Sequence, residues 1–194
     1  MTKHLLGFGA SSMQGVGDTQ GGFLSRLASR CLATGTHQVT NAGVGGNTTR
    51  DMLGRLPTLN LPPDDLIVLL GCNDLPRAHD PSPENRVPLS EYRANLTTLL
   101  AALKGQRNLF VSSFLPSEPL TGVSLETFES YMAAATQIAR ELDYEIWDLF
   151  AETKHGAETY LAPDGLHFND AGHAFLAGRI GAWLLQSPSA PAQV

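Results

Sequence analysis

Five times along the chain an apolar run that reads as a strand is followed by a stretch with helical spacing, and this alternation constrains the fold most. The clearest strand lies in "DDLIVLLGCND". Leu66 to Leu70 carry no polar residue, the pattern of a strand covered on both faces. The other strands are read at Lys3 to Gly9, at Gln38 to Asn41, in "NLFVSSF" and in "YEIWDLF". Between them, Phe23, Leu24, Leu27, Ala28 and Cys31 share one helical face, with Gly35 as a stop. "TTRDMLGRLPTL" gives a short helix cut off near Pro57, and Ser90 is placed to cap a helix ending at Gly105. Ser124 and Thr127 are rival caps for a long helix, and Asn169 caps the last one. Parallel strands need crossovers, and crossover helices cover the sheet on both sides. The expected fold is therefore α/β, one domain over residues 1–186, followed by a flexible tail, "SPSAPAQV", at 187–194.

Composition narrows the function by exclusion. The 194 residues carry a net charge of −6 and no basic run, which argues against a nucleic-acid or anionic-membrane surface. No window approaches the ~20 apolar residues of a membrane span. The apolar stretch in "MTKHLLGFGASS" is too short for a signal peptide, so a cytoplasmic location is expected. Cys31 and Cys72 stand outside any CxxC or CxxH pattern and read as reduced thiols. "GDTQGGF" lacks the lysine of a phosphate-binding loop. Neither a cofactor nor a metal is expected.

In parallel sheets ligands bind beyond the carboxyl ends of the strands. The segments after the first three strands are "GASSMQGVGD", "AGVGGNTT" and "GCNDLPR", each bearing glycine with serine or asparagine. The connection "APDGLHFND" before the last helix reaches the same edge. Asp164 and His167 are three apart there, a spacing that lets a carboxylate reach Nδ1 of the imidazole and leaves Nε2 as a general base. Such a base activates a serine hydroxyl, and Ser11 and Ser12 are the serines offered near the N-terminus. Glycine N–H groups in "GVGGN" and the Asn73 side chain offer donors for an oxyanion. The α/β-hydrolase elbow G-x-S-x-G is absent, since Ser11 lies in Gly9-Ala10-Ser11-Ser12-Met13. "DGLHFNDAGH" also spells D-x-x-H-x-x-D-x-x-H. A helix start at Asn169 would send His173 away from His167, so His173 reads as structural rather than as a metal ligand.

Four blocks in order, "FGASS", "NAGVGGNTT", "GCND" and "DGLHFNDAGH", resemble the SGNH hydrolase superfamily, also called the GDSL lipase/esterase family. The resemblance covers Leu5 to about Leu185. It implies a three-layer, flavodoxin-like five-stranded sheet in the order 2-1-3-4-5. It also implies Ser11 as nucleophile, His167 as base, Asp164 as its orienting acid, and Ser11, Gly46 and Asn73 as oxyanion donors. Gly45 stays open as an alternative donor and Ser12 as an alternative nucleophile. One departure stands out. Where the family carries Asp or Asn between the glycine and the serine, to organise the loop by hydrogen bonding, this chain has Ala10.

The expected activity is hydrolysis of short-acyl carboxylic esters of small molecules through an acyl-Ser11 intermediate, with no nucleic-acid partner and with the oligomeric state left open. Sugar O-deacetylation, thioester or lysophospholipid hydrolysis, and a non-catalytic binding protein are the alternatives. Residues Leu75 to Leu89 are expected to line the leaving-group or acyl pocket.

Overall fold

The computed structural model describes residues 2–78 and 86–186. Its five strands are β1 (Lys3–Gly9), β2 (His37–Gly43), β3 (Asp65–Leu69), β4 (Arg107–Val111) and β5 (Glu145–Trp147). All pair in parallel, in the order β2-β1-β3-β4-β5. The helices are α1 (Ser11–Gln14), α2 (Gly22–Thr34), α3 (Thr49–Arg55), α4 (Leu89–Ala102), α5 (Glu118–Thr121), α6 (Leu125–Glu141), α7 (Leu149–Thr153) and α8 (Asp170–Leu185).

Strand side chains alternate between the two faces, and the sheet divides the core in two. Leu6, Phe8, Leu66, Val68 and Phe110 pack under α3, α4 and α6, against Met52, Leu96, Leu99 and Phe128. Leu5, Ile67, Leu69, Leu109 and Val111 pack under α2 and α8, against Phe23, Leu27, Leu176 and Ile180. This is a three-layer α/β/α fold. β3, the middle strand, is buried along its whole length, which is why it reads as an unbroken apolar run. Each of its large apolar side chains contributes roughly 1.5–3 kcal/mol by leaving water.

Several element boundaries differ from those read in the sequence. β2 runs from His37 to Gly43 because it keeps seven register pairs with β1, although as a half-exposed edge strand it carries little apolar pattern. β5 is only three residues long. Asp148 accepts the Ala151 N–H at 3.0 Å and turns the rest of "YEIWDLF" into α7. Pro88, not Ser90, precedes the first turn of α4, and Ser90 lies inside that helix. Of the two rival caps on α6, Ser124 accepts the Thr127 N–H. Residues 79–85 of the long loop and the tail at 187–194 lie outside the described residues.

Candidate active site

β1 ends in a turn that its sequence makes tight. Gly9 has no room for a side chain, since a Cβ there would lie 2.1 Å from the Leu69 carbonyl oxygen. The next residue, Ala10, is 8 % exposed and precedes α1, a single turn that starts at Ser11. Gln14 N–H donates to Ala10 O at 2.9 Å, and the Gly15 and Val16 N–H groups donate to Ser11 O. Ser11 thus stands at a helix start rather than in an open loop.

Beyond β2 the chain turns at Val44–Asn47, where Asn47 N–H donates to Val44 O at 3.3 Å and Gly46 takes a φ of +78°. Gly45 N–H is engaged, donating to Gln14 Oε1 at 2.7 Å. Gly46 N–H has no partner among the described residues, and the same holds for Ser11 N–H. The Gln14 side chain therefore joins the serine turn to the glycine loop. Asn73, past the end of β3, donates one of its two Nδ2 hydrogens to Asn47 O at 2.9 Å. Behind it Asp74, fully buried, accepts both the N–H and the hydroxyl of Thr49 at the start of α3. Burial pushes the Asp74 carboxyl up to about 6, against the lowering effect of those bonds.

Asp164 and His167 lie in one short loop closed at its base by an antiparallel bridge between Leu161 and Phe168. His167 Nδ1 is 2.7 Å from Asp164 Oδ2. The other carboxylate oxygen accepts the N–H groups of Leu166 and His167, at 2.9 and 3.0 Å. Partial burial works against ionisation of Asp164. The bonds from the His167 side chain and the two backbone N–H groups outweigh it and hold the carboxyl down at about 2. The contact through Nδ1 leaves Nε2 as the free ring nitrogen.

The segment after α1 is sewn to this loop and to α8. A Cβ at Gly17 would lie 2.1 Å from Phe168 O and 3.4 Å from His167 Cβ. Thr19 donates through N–H and hydroxyl to the Asp170 carboxylate. His173 is fully buried, accepting Phe23 N–H at Nδ1 and donating from Nε2 to Val16 O. Asp170 and His173 are thus occupied as structural ties, away from the Asp164–His167 contact. Burial lowers the His173 pKa, in keeping with an Nδ1 that accepts a hydrogen bond.

Ser11, Ser12 and Asn73 line one pocket together with Ala10, Cys72, Ser113, Phe114 and Leu166, the residue before His167. No hydrogen bond joins Ser11 Oγ to His167 Nε2. Such contacts are often long without substrate and tighten when it binds. The pocket holds about 20 Å³, room for a group the size of one water or methyl. Cys72 Sγ is 2.8 Å from Ser113 Oγ, and burial pushes this thiol up to about 11. Cys31 is also a free thiol. Gln14, Ser113 and Leu166 escape the motif reading. A signal for Ser113 is present, since "VSSF", like "GASS", places serines just past an apolar strand at the same edge. Of the loop after Asn73, Arg86 donates to Asn73 O at 2.9 Å.

The model of the GDSL-like lipase/acylhydrolase family matches residues 8–175. The isoamyl acetate-hydrolyzing esterase 1 homolog of Mus musculus is 29 % identical over 182 residues, covering 81 % of this chain and 72 % of that protein. The acetylxylan esterase of Geobacillus stearothermophilus is 29 % identical over 150 residues, covering 72 % of this chain and 68 % of that protein. A solved variant of an acetyl xylan esterase from the same organism superposes with a TM-score of 0.74 at 26 % identity, covering 90 % of this chain and 91 % of that one. A lipase/acylhydrolase from Enterococcus faecalis shares the fold, with a TM-score of 0.79 at 21 % identity, over 94 % of this chain and 95 % of that one.

Proposed function

The chain belongs to the GDSL-like lipase/acylhydrolase family and is a carboxylic ester hydrolase, and from that premise we propose that Ser11 is its nucleophile and that small acyl esters are its substrates. The observation that carries this reading is the 2.7 Å contact of His167 Nδ1 with Asp164, one residue from the pocket that Ser11 and Asn73 share. In this reading His167 Nε2 takes the proton of Ser11 Oγ as that oxygen attacks the ester carbonyl. Asp164, its carboxyl held down at about 2 and so ionised at neutral pH, holds the ring in place and stabilises the imidazolium. Ser11 N–H, Gly46 N–H and the second Nδ2 hydrogen of Asn73 stabilise the negative charge on the carbonyl oxygen. His167 then protonates the departing alkoxide. Water, deprotonated by the same nitrogen, attacks the acyl-Ser11 carbonyl, and the proton passes from Nε2 to the departing Ser11 Oγ as the carboxylic acid is released.

Gly46 rather than Gly45 is the donor in this scheme, because Gly45 N–H is already held by Gln14. The small pocket favours an acetyl group over longer chains. The names of two relatives refer to acetyl esters, isoamyl acetate and acetylated xylan. The second relative also favours an acetylated sugar as an alternative alcohol part.

Two measurements test the reading. Ser11→Ala should lower kcat on nitrophenyl acetate by about 10⁴-fold or more and abolish labelling by a fluorophosphonate probe. Near wild-type turnover by that variant would overturn the nucleophile. In a panel from acetate to octanoate kcat/KM should fall from the first member, and a maximum at octanoate would overturn the acyl preference. Acetylated xylo-oligosaccharides added to the panel separate the sugar reading from the simple ester.

A further inference from the structure

Ala10 gives the serine turn no side-chain hydrogen bond. One side chain reaches both strand ends concerned. Arg55, in the last turn of α3, donates from Nη1 to Ala42 O at 3.0 Å and from Nη2 to Gly9 O at 3.3 Å. Gly9 O also accepts Val44 N–H at 3.2 Å, so the three segments meet at one carbonyl. The guanidinium lies 4.9 Å from the ring centroid of Phe8. It makes no ion pair among the described residues, and its buried Nε has no hydrogen-bond partner. Burial lowers its pKa. Gly9 stands two residues before Ser11, and Ala42 four residues before Gly46. A half-buried cation hydrogen-bonded to neutral carbonyls is costly to keep, and a flexible lysine could not span both oxygens.

We propose that Arg55 is a positioning residue for the reaction. Its planar fork fixes, relative to each other, the strand ends that present the nucleophile and the oxyanion-hole glycine. The inference rests on the reading of Ser11 and Gly46 given above. It predicts an effect on kcat rather than on substrate binding, because a displacement of about 1 Å between attacking and stabilising groups costs on the order of 10²-fold.

The test compares Arg55→Lys, Arg55→Met and Arg55→Ala with the wild type and Ser11→Ala. Arg55→Met should lower kcat, and the rate of fluorophosphonate labelling per folded molecule, by about 10- to 100-fold, with KM within about threefold. Arg55→Lys keeps the charge and the stem over Phe8 but loses the fork, and should fall by about tenfold in kcat. Added guanidinium should raise kcat of Arg55→Ala several-fold (on the order of fivefold), while methylammonium, a point charge, should not. A lowered Tm with wild-type kcat in Arg55→Met and Arg55→Lys would overturn the inference and leave Arg55 as packing alone. If Arg55→Met does not fold, Arg55→Lys decides, since wild-type kcat there overturns the inference equally. An active Ser11→Ala would instead remove the reading of Ser11, so the two failures are distinguishable.

Discussion

Among the described residues two histidine–aspartate contacts are made, one at each end of the sheet. At the carboxyl end His167 Nδ1 meets Asp164 Oδ2 at 2.7 Å; at the amino end His37 Nε2 meets Asp65 Oδ2 at 3.1 Å. Their surroundings differ. The Asp164 side chain is 51 % exposed and is held by backbone N–H groups of its own loop. The Asp65 side chain is 1 % exposed and faces Lys3 at 3.6 Å and Arg107 at 3.7 Å. Arg107 is itself fixed by the carbonyls of Trp183 and Gln186 and by the Trp183 ring. The free nitrogen differs too. His37 uses Nε2 on its aspartate, and its Nδ1 is buried with no partner among the described residues. His167 uses Nδ1, and its Nε2 is the nitrogen left over for the proposed chemistry. A histidine beside a carboxylate is therefore not itself a site. What matters is which nitrogen is left over, and whether a serine and oxyanion donors stand near it.

This contrast is open to direct attack. The largest effect falls on the histidines: His167→Ala should lower kcat by about 10⁴-fold, while His37→Ala should leave it within about twofold. Comparable losses in kcat would erase the distinction. The aspartates should then reverse roles between assays. Asp65→Asn removes the buried counter-charge of Arg107, leaving it the partly exposed Glu145, and should cost about 3 kcal/mol of unfolding free energy in urea. Asp164→Asn, at a half-exposed site, should cost less stability than Asp65→Asn but lower kcat by about 10²- to 10⁴-fold. A third carboxylate sharpens the comparison, because Asp74 is buried like Asp65 but bonded to Thr49 instead of to cations. Burial raises its pKa to about 6, so on acidification the folded chain takes up this proton before the unfolded one. Stability tied to Asp74 is thus present below about pH 4 and lost as pH rises through about 6. Asp74→Asn keeps an oxygen for Thr49 and does not ionise. It should gain on the wild type by about 2 kcal/mol between pH 4 and pH 7, and unfolding curves across that range should show a widening gap. A gap that does not change with pH would mean that Asp74 titrates normally.

Which parts of this were legible in the sequence follows from how local each cause is. Asp164 and His167 are three residues apart, and their contact needs only the turn between them. β3 is legible because burial on both faces leaves an unbroken apolar run. β2 and β5 are blurred, since one is an exposed edge and the other is cut short by the Asp148 cap within a continuous apolar stretch. The choice of Gly46 over Gly45 depends on the Gln14 side chain, which comes from a different loop. Arg55 leaves no trace in the sequence at all. Its partners are backbone carbonyls, which every residue possesses, and only the fold brings them together.

The loop that holds Asp164 and His167 also has a consequence for inheritance. It is closed by the Leu161–Phe168 bridge, by Ala162 N–H donating to His167 O, and by Asn169, which binds Thr159 O and Leu161 O. These bonds all lie within about a dozen consecutive residues, and the ties from outside are Ser117 N–H on Gly165 O and the close approach of Gly17 to Phe168. Asp164 and His167, the proposed acid and base, therefore travel as one cassette. A single short deletion removes both at once, and a single graft onto another sheet of this topology would carry both.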